Sequence, residues 1–303
     1  MSTIYNAIGA NKRKTWVLMF FFSVLAVLLV TFLGIYSGLE PIPALFFGLV
    51  ISIVYALISF YLSDKATLTV AGAKEIDKEK APDVYRLVEN LAISAGVPTP
   101  RVYIIDDPSP NAFATGRDPE HASIAMTTGL LSTLNKQELE GVLAHELSHV
   151  KNYDIRLMTV IVVLIGLILL VSNLIFRIGA LRGNNRGKDG GGATIIILVG
   201  IILGLLSPLI AQLIKLSISR TREYMADQSA VMLTRYPEGL AGALEKIRDN
   251  GQPLQRANHA TAHLYIANPF GSKKSGEVSF FQKVFLTHPP INDRIKKLRG
   301  LDV

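Results

Sequence analysis

The 303-residue chain contains no cysteine. Disulfide bonds, thiolate metal ligands and cysteine nucleophiles are therefore excluded together, whereas the compartment stays open because a cysteine-free protein suits any of them. The G-x-x-x-x-G-K-[ST] pattern of phosphate-binding loops is also missing, so we expect no ATP motor within the chain. Charged residues are scarce as well, at 18% of the total.

Hydrophobic residues make up half of the chain, and its mean hydropathy is +0.36. Such values are typical of membrane proteins. The formal net charge is +7, but much of the excess flanks apolar spans, and no basic stripe is interleaved with aromatic residues. We therefore expect the positive charge to meet lipid headgroups of a bilayer, and we expect no nucleic-acid partner.

Two charge-free spans near the N-terminus, Thr15–Gly38 and Ile42–Leu62, are each long enough to cross a bilayer. Three basic residues precede the first span and none lies in the turn between the spans. The positive-inside rule then places the N-terminal tail and residue 63 onward in the cytoplasm. The sequence thus predicts a multi-pass protein of the plasma (inner) membrane with a cytoplasmic soluble part.

Two further apolar spans lie between residues 157 and 214, separated by the basic, glycine-rich segment 177–192. Their length favours a hairpin that crosses the bilayer, whereas the charge rule opposes it, because basic residues would reach the far side. We favour crossing; the alternative is a hairpin that packs on the membrane or within the protein. The predicted organisation is a tail (1–14), two membrane helices (15–62), a soluble part (63–156), the hairpin (157–214) and a second soluble part (215–303).

The segment around residue 145 contains the pattern H-E-x-x-H. On a helix, His145 and His149 share one face, where both imidazoles can bind a single ion. Neutral imidazoles leave Zn²⁺ a strong Lewis acid, and the carboxylate of Glu146 can take a proton from a water that attacks a peptide carbonyl. The alternative is a pair of surface histidines beside a solvated glutamate.

The surroundings of this motif favour a helix. Asn135 is a suitable N-cap, and Glu138, three residues later, can complete a capping box. A small sheet is predicted before this helix, with strands at Arg101–Ile105, Asn111–Thr115 and Ala122–Met126. An exposed edge of that sheet would dock an extended substrate backbone, or the sheet would merely cover the helix.

A catalytic zinc site with two histidines needs a third protein donor. The metzincin pattern would require a glycine at position 152 and a histidine at position 155, and the chain has other residues there. Later in the chain, Glu223 and Asp227 are spaced four apart, so Glu223 can complete a His₂Glu set while Asp227 bonds a ligand imidazole. The alternative is a solvated acidic pair, whose repulsion a metal ion and Arg222 would relieve.

These segments together resemble the HtpX-like membrane zinc proteases, relatives of the CAAX prenyl proteases. The matching stretches are NAFATG at 111–116, GVLAHELSHVKN at 141–152, SRTREYMAD at 219–227, ATAHLYIANP at 260–269, and THPP with DRI within 287–295. The resemblance implies one Zn²⁺ per chain, with Glu146 as base and with three ligands: His145, His149 and Glu223. It also implies that Asn111 binds substrate and that His288 lies near the scissile carbonyl.

We therefore expect a mostly helical α+β fold, in which a zincin-like His₂Glu catalytic domain with a small β-sheet joins about four transmembrane helices. The predicted function is an endopeptidase that cuts membrane or misfolded proteins on the cytoplasmic side, in membrane protein quality control. The alternatives are a prenyl-protein processing peptidase and a non-enzymatic, zinc-bearing membrane scaffold. Structural zinc sites usually have four protein ligands, which disfavours the scaffold. A homo-oligomer is possible.

Overall fold

The computed structural model describes residues 2–36, 38–166, 168, 220–258, 260–271 and 289–301. The predicted hairpin beyond residue 168 and the predicted site residue His288 lie outside the described residues.

Two long apolar helices open the described chain, α1 (Ser2–Tyr36) and α2 (Pro41–Tyr61). Their apolar parts, Ile8–Ile35 and Pro41–Tyr61, have mean hydropathies of 2.7 and 2.3 and are long enough to cross a bilayer. Most of their large side chains face outward, as a surface in contact with lipid requires. The first two predicted spans therefore exist as helices, and α1 also includes the segment that we had separated as a tail.

Small residues bring α1 and α2 close together. A Cβ atom on Gly34 would lie only 3.0 Å from the Cβ of Ala44, and the hydroxyl of Ser52 donates to the carbonyl of Ser23 at 2.7 Å. Such close backbone approach and interhelical hydrogen bonds are the usual means of association in lipid.

A four-stranded sheet follows, in the order β1–β2–β4–β3. Strands β2 and β4 are parallel, and the two outer pairs are antiparallel. Three strands lie within one residue of their predicted positions, but the first was missed because it is short and partly exposed. The strands are β1 (Ala73–Glu75), β2 (Arg101–Ile105), β3 (Ala112–Gly116) and β4 (Ala122–Thr127).

Successive residues of the strands enter two separate hydrophobic cores, because side chains alternate across a sheet. On one face, Val102 and Ile124 pack towards the helix that carries the H-E-x-x-H motif. On the other, Tyr103 and Phe113 pack with α1 and the start of the predicted hairpin. Both faces are therefore covered, and every residue of β3 and β4 is buried.

The remaining helices surround this sheet. They are α3 (Ser63–Ala71), α4 (Pro82–Ala95), α5 (Thr128–Thr133), α6 (Lys136–Lys151), α7 (Arg220–Thr234), α8 (Pro237–Asn250) and α9 (Ile291–Arg299). Two short 3₁₀ turns add to them, Pro119–His121 and Ala262–Leu264.

Helix α6 carries the H-E-x-x-H motif and packs against the sheet, α4, α7 and α8. Its predicted capping box is confirmed: the Asn135 side chain accepts from the backbone N–H of Glu138 at 2.9 Å, and the Glu138 carboxylate accepts from the N–H of Asn135 at 2.8 Å. Gly141 lets α8 approach closely, since a Cβ there would lie 2.7 Å from the backbone nitrogen of Leu240.

Residues 154–166, which include the start of the predicted hairpin at residue 157, are helical and run beside both apolar helices. Their side chains share a core with Met19 and Phe22 of α1. Further along, the hydroxyl of Tyr55 on α2 donates to the carbonyl of Val163 at 3.0 Å. The segment therefore starts at the N-terminal end of α1 and continues in the same direction as α1.

Candidate metal centre

Three side chains predicted as zinc ligands converge on one point. His145 and His149 project from successive turns of α6, and Glu223 comes from the first turn of α7. The two Nε2 atoms are 3.2 Å apart, and the Glu223 carboxylate oxygens lie 3.8 Å and 3.6 Å from the Nε2 atoms of His145 and His149. All three side chains are buried.

The spacing of these donors fits a single zinc ion. Two ligands about 2.0–2.2 Å from a tetrahedral zinc lie roughly 3.3–3.6 Å from each other, close to the separations found here. Two imidazoles and one carboxylate are also a familiar catalytic donor set, which leaves one position open. Their role as ligands stays a prediction, and the residues present fit it.

Each histidine has a carboxylate at its other ring nitrogen. The Nδ1–H of His149 donates to Asp154 at 3.0 Å, and the Nδ1 of His145 lies 2.9 Å from Asp227. Such carboxylates favour the tautomer with Nδ1 protonated, so that the lone pair on Nε2 is available to a metal. Asp227 thus lies next to the imidazole of His145, and its role behind a zinc ligand stays a prediction.

Asp227 is in turn held by Arg294 of α9, a residue that the sequence analysis did not single out. The guanidinium donates to both carboxylate oxygens, at 2.9 Å and 2.6 Å, and it is fully buried. It also lies 3.9 Å from Glu223. The sequence predicts that a metal ion and Arg222 relieve the repulsion of the acidic pair, and the structure adds Arg294, whose guanidinium contacts both carboxylates.

Arg222 instead belongs to the surroundings of His149. Its guanidinium lies 3.3 Å from Asp154 and donates to the side-chain oxygen of Asn11 at 3.2 Å. Asn11 belongs to α1, so the network around His149 includes the start of the first apolar helix. Neither Asp154 nor Asn11 was among the predicted site residues.

His149 and Asp227 have shifted pKa values. Burial alone lowers the pKa of His149, but the hydrogen bond to Asp154 and the charge of Glu223 raise it to about 9. Burial alone raises the pKa of Asp227, but Arg294 and His145 hold it below its usual range. Because zinc binds the neutral imidazole, the raised pKa of His149 makes zinc affinity fall as the pH falls.

Glu146, the predicted base, is 2% exposed and lies between the two histidines in the sequence of α6. Burial raises the pKa of Glu146, and the neighbouring imidazoles offset that effect only in part. Its carboxylate accepts a hydrogen bond from the backbone of Ala114 in β3. A carboxylate with a raised pKa is well suited to accept a proton and then release it.

Asn111, the predicted substrate-binding residue, lies where β3 begins. Its side-chain nitrogen donates to the carbonyl of Ala267 at 3.0 Å, and its oxygen accepts from the N–H of Ala267 at 3.3 Å. The residue is 3% exposed. In this arrangement Asn111 joins the sheet to the segment 260–271, and its contact with substrate stays a prediction.

Three residues of the site, Arg294, Asp154 and Asn11, were not predicted, although each has a recognisable feature in the sequence. Arg294 lies in the DRI stretch, beside the buried residues Ile295 and Leu298. Asp154 follows His149 by five residues, just after the end of α6, and Asn11 is one of two asparagines before a long apolar run. Their contacts with one site could not be predicted from local patterns, because the three residues come from distant parts of the chain.

Comparison with known proteins agrees with this geometry. Residues 78–302 match Peptidase family M48. The chain is 46% identical to the protease HtpX homolog of Dictyoglomus thermophilum, over 98% of this chain and 94% of that protein. It is 44% identical to the protease HtpX homolog of a Streptococcus pneumoniae strain, over 98% of this chain and the whole of that protein.

Among solved structures, the crystal structure of S. mikatae Ste24p is similar, with a TM-score of 0.51 at 18% sequence identity. The match covers 98% of this chain and 67% of that one. At this identity the match supports the fold alone. The full-length similarity to HtpX homologs and the family match confirm the resemblance found in the sequence, and the chain therefore belongs to peptidase family M48, as an HtpX-like membrane metalloprotease.

Proposed function

We propose that this protein is a zinc endopeptidase that cuts disordered segments of membrane or misfolded proteins on the cytoplasmic side of the plasma membrane. The observation that supports it best is the convergence of His145, His149 and Glu223 on one point, beside the buried carboxylate of Glu146. Family membership implies a metal cofactor, and the donor set favours one zinc per chain.

Glu146 is the proposed general base. Bound zinc supplies Lewis acidity to the site. The carboxylate of Glu146 takes the proton of the attacking water and passes it to the nitrogen of the leaving amine, which its raised pKa favours. Asp154 and Asp227 keep the two imidazoles in a fixed orientation during this cycle.

The edge strand of the sheet lies next to this site, and two of its outward peptide groups have partners. The carbonyl of Ala112 accepts from the N–H of Ile266 at 3.0 Å, and the N–H of Gly116 donates to the Thr159 hydroxyl at 3.2 Å. In this arrangement β3 packs over α6, which is compatible with both interpretations of the sheet, covering of the helix and docking of a substrate strand. A substrate strand pairs with β3 only after these contacts open.

The burial of the proposed donors and of Glu146 also limits which substrates can reach the site. The donor residues and Glu146 are at most 5% exposed, so a folded surface cannot reach them. The sequence contains no P-loop motor that would unfold a substrate. We therefore infer that substrates bring a segment that is already disordered.

Zinc removal and restoration test the proposed function. We expect purified full-length protein to lose activity against an unstructured protein in chelator and to regain it with added zinc. Glu223→Ala should weaken zinc binding about 10- to 100-fold or more, because it removes one of the three proposed donors. Loss of a group that only hydrogen-bonds to a ligand already weakens binding by that amount. Metal content and cleavage are both measured, and Glu140→Ala on α6 is the control.

Full zinc content in Glu223→Ala would exclude that residue as a ligand. Cleavage that persists in chelator without bound metal would exclude zinc hydrolysis altogether.

We also propose that the segment 157–214 crosses the bilayer twice. His149 precedes this segment and Glu223 follows it, yet both side chains meet at one site, so the number of crossings must be even. The course of residues 154–166 along α1 supports two crossings over none. The segment 177–192 would then lie outside, against the positive-inside rule.

Single cysteines test this topology, since the native chain has none. A membrane-impermeant thiol reagent on intact cells should label Glu40→Cys, between α1 and α2, and Asn184→Cys. It should spare Glu79→Cys, in the soluble part. Protection of Asn184→Cys with labelling of Glu40→Cys would show an uncrossed hairpin, and labelling of Glu79→Cys would reverse the orientation.

A further inference from the structure

We propose that the N-terminal end of α1 is part of the metal centre, and that Asn11 is a positioning residue that holds Asp154 against His149. This inference rests on the proposed function, because it takes His149 as a zinc ligand. Asn11 is 143 positions from Asp154 in the sequence, yet their side chains are in direct contact. A helix that enters the membrane therefore contributes to a site in the soluble part.

Both ends of the Asn11 amide are engaged. Its nitrogen donates to Asp154 Oδ1 at 2.7 Å and to the carbonyl of Asn152 at 3.1 Å. Its oxygen accepts from Arg222 at 3.2 Å. These partners fix the orientation of the amide, because the carboxylate and the carbonyl only accept while the guanidinium only donates. The side chain is 2% exposed, so water does not replace these bonds.

Asp154 depends on these contacts because it is itself buried, at 2% exposure. One carboxylate oxygen accepts from His149 at 3.0 Å, and the other faces Asn11 and Arg222. A buried carboxylate is costly unless its lone pairs are satisfied. Loss of Asn11 would remove its shortest hydrogen bond and would let Asp154 turn away from the imidazole.

The turn that carries Asp154 also needs support. Tyr153 has φ +57°, a left-handed conformation that is uncommon for a bulky residue. The ammonium group of Lys12 lies 4.0 Å above its ring, and the guanidinium of Arg156 lies 5.1 Å from the ring. Asn11 binds the carbonyl just before this residue and the carboxylate just after it. Two consecutive residues of α1 thus hold the turn in place.

A simpler explanation is that Asn11 only helps α1 to pack, since amides in membrane helices commonly bond to neighbouring helices. The two explanations differ for a substitution that keeps the shape. Aspartate nearly matches asparagine in size, but it would place a second carboxylate opposite Asp154, where the two atoms are now 2.7 Å apart. The buried charge lowers stability under either explanation, but only a positioning role makes the change weaken zinc binding.

The test measures the zinc dissociation constant of the full-length protein in detergent, by competition with a chelator at about pH 8, where neutral imidazoles are available to the metal. We expect Asn11→Ala to weaken zinc binding about 10-fold, the lower end of the range for groups behind a ligand. Asn11→Asp should weaken it at least as much. Asn90→Ala, on the exposed face of α4, is the matched control and should bind like wild type.

A double-mutant cycle shows whether Asn11 acts through Asp154. In an Asp154→Ala background, Asn11→Ala should cause no further loss of zinc affinity. Wild-type affinity in both Asn11→Ala and Asn11→Asp would overturn the inference and leave the proposed function intact. Wild-type affinity in Asn11→Asp alone would assign Asn11 to packing. Failure of the wild-type protein to bind zinc would instead refute the proposed function.

Discussion

Glu146→Gln is expected to remove proteolysis while zinc stays bound. The substitution deletes proton transfer by the base, which contributes about 10²- to 10⁴-fold to rate, and it deletes no proposed ligand. The folded protein should be at least as stable as wild type, because burial disfavours the charged form of Glu146 and an amide carries no charge. Cleavage of an unstructured protein, metal content and thermal unfolding are the three measurements.

Glu140→Gln is the matched control, since it makes the same change on the same helix away from the donor atoms. It should cleave at the wild-type rate. Turnover by Glu146→Gln at the wild-type rate would rule out Glu146 as base. Loss of zinc together with activity would point to a structural role for the carboxylate.

Arg294→Met is expected to cause the largest loss of stability. It removes the cation that neutralises Asp227 and leaves a buried carboxylate without its main partner. Breaking such a buried pair costs about 3–5 kcal/mol, which lowers the melting temperature of a domain of this size by roughly 6–20 °C. Zinc affinity should fall as well, because Asp227 would no longer hold His145.

Arg299→Met provides the comparison within the same helix. Arg299 binds Glu238 and Glu245 at the surface, and exposed ion pairs contribute little, so its melting temperature should stay near that of wild type. Asp227→Asn combined with Arg294→Met should recover part of the lost stability, since no charge is left unpaired. An unchanged melting temperature for Arg294→Met would contradict this account of the buried pair.

The parts of the structure that local patterns determine could be predicted from the sequence. The capping box at Asn135 involves residues three apart, and the H-E-x-x-H spacing places two imidazoles on one helix face whatever surrounds them. Strands β2, β3 and β4 were recognisable because each is a short run of mainly apolar residues between turn signals. Glu223 could also be singled out from the sequence, because a zinc site with two histidines requires a third donor.

The order of the strands and the outer network of the site could not be predicted. Strand β2 pairs directly with β4, while β3, which lies between them in the sequence, is at the edge of the sheet. This order depends on two hydrophobic cores that form only in the folded protein. Arg222 was assigned to the acidic pair because it is adjacent in sequence. The cation that binds Asp227 is Arg294, 67 positions away. Local sequence patterns cannot predict a contact between residues so far apart.

The contact between Arg294 and Asp227 has a consequence for biosynthesis. A chain is made from its N-terminus onward, so α1, the sheet, α6 and α7 all precede α9. Until α9 emerges, Asp227 lacks the cation that makes its burial tolerable. Prematurely terminated chains without α9 are therefore expected to insert into the membrane as inactive fragments, and hydrolytic activity begins only after α9 has been made.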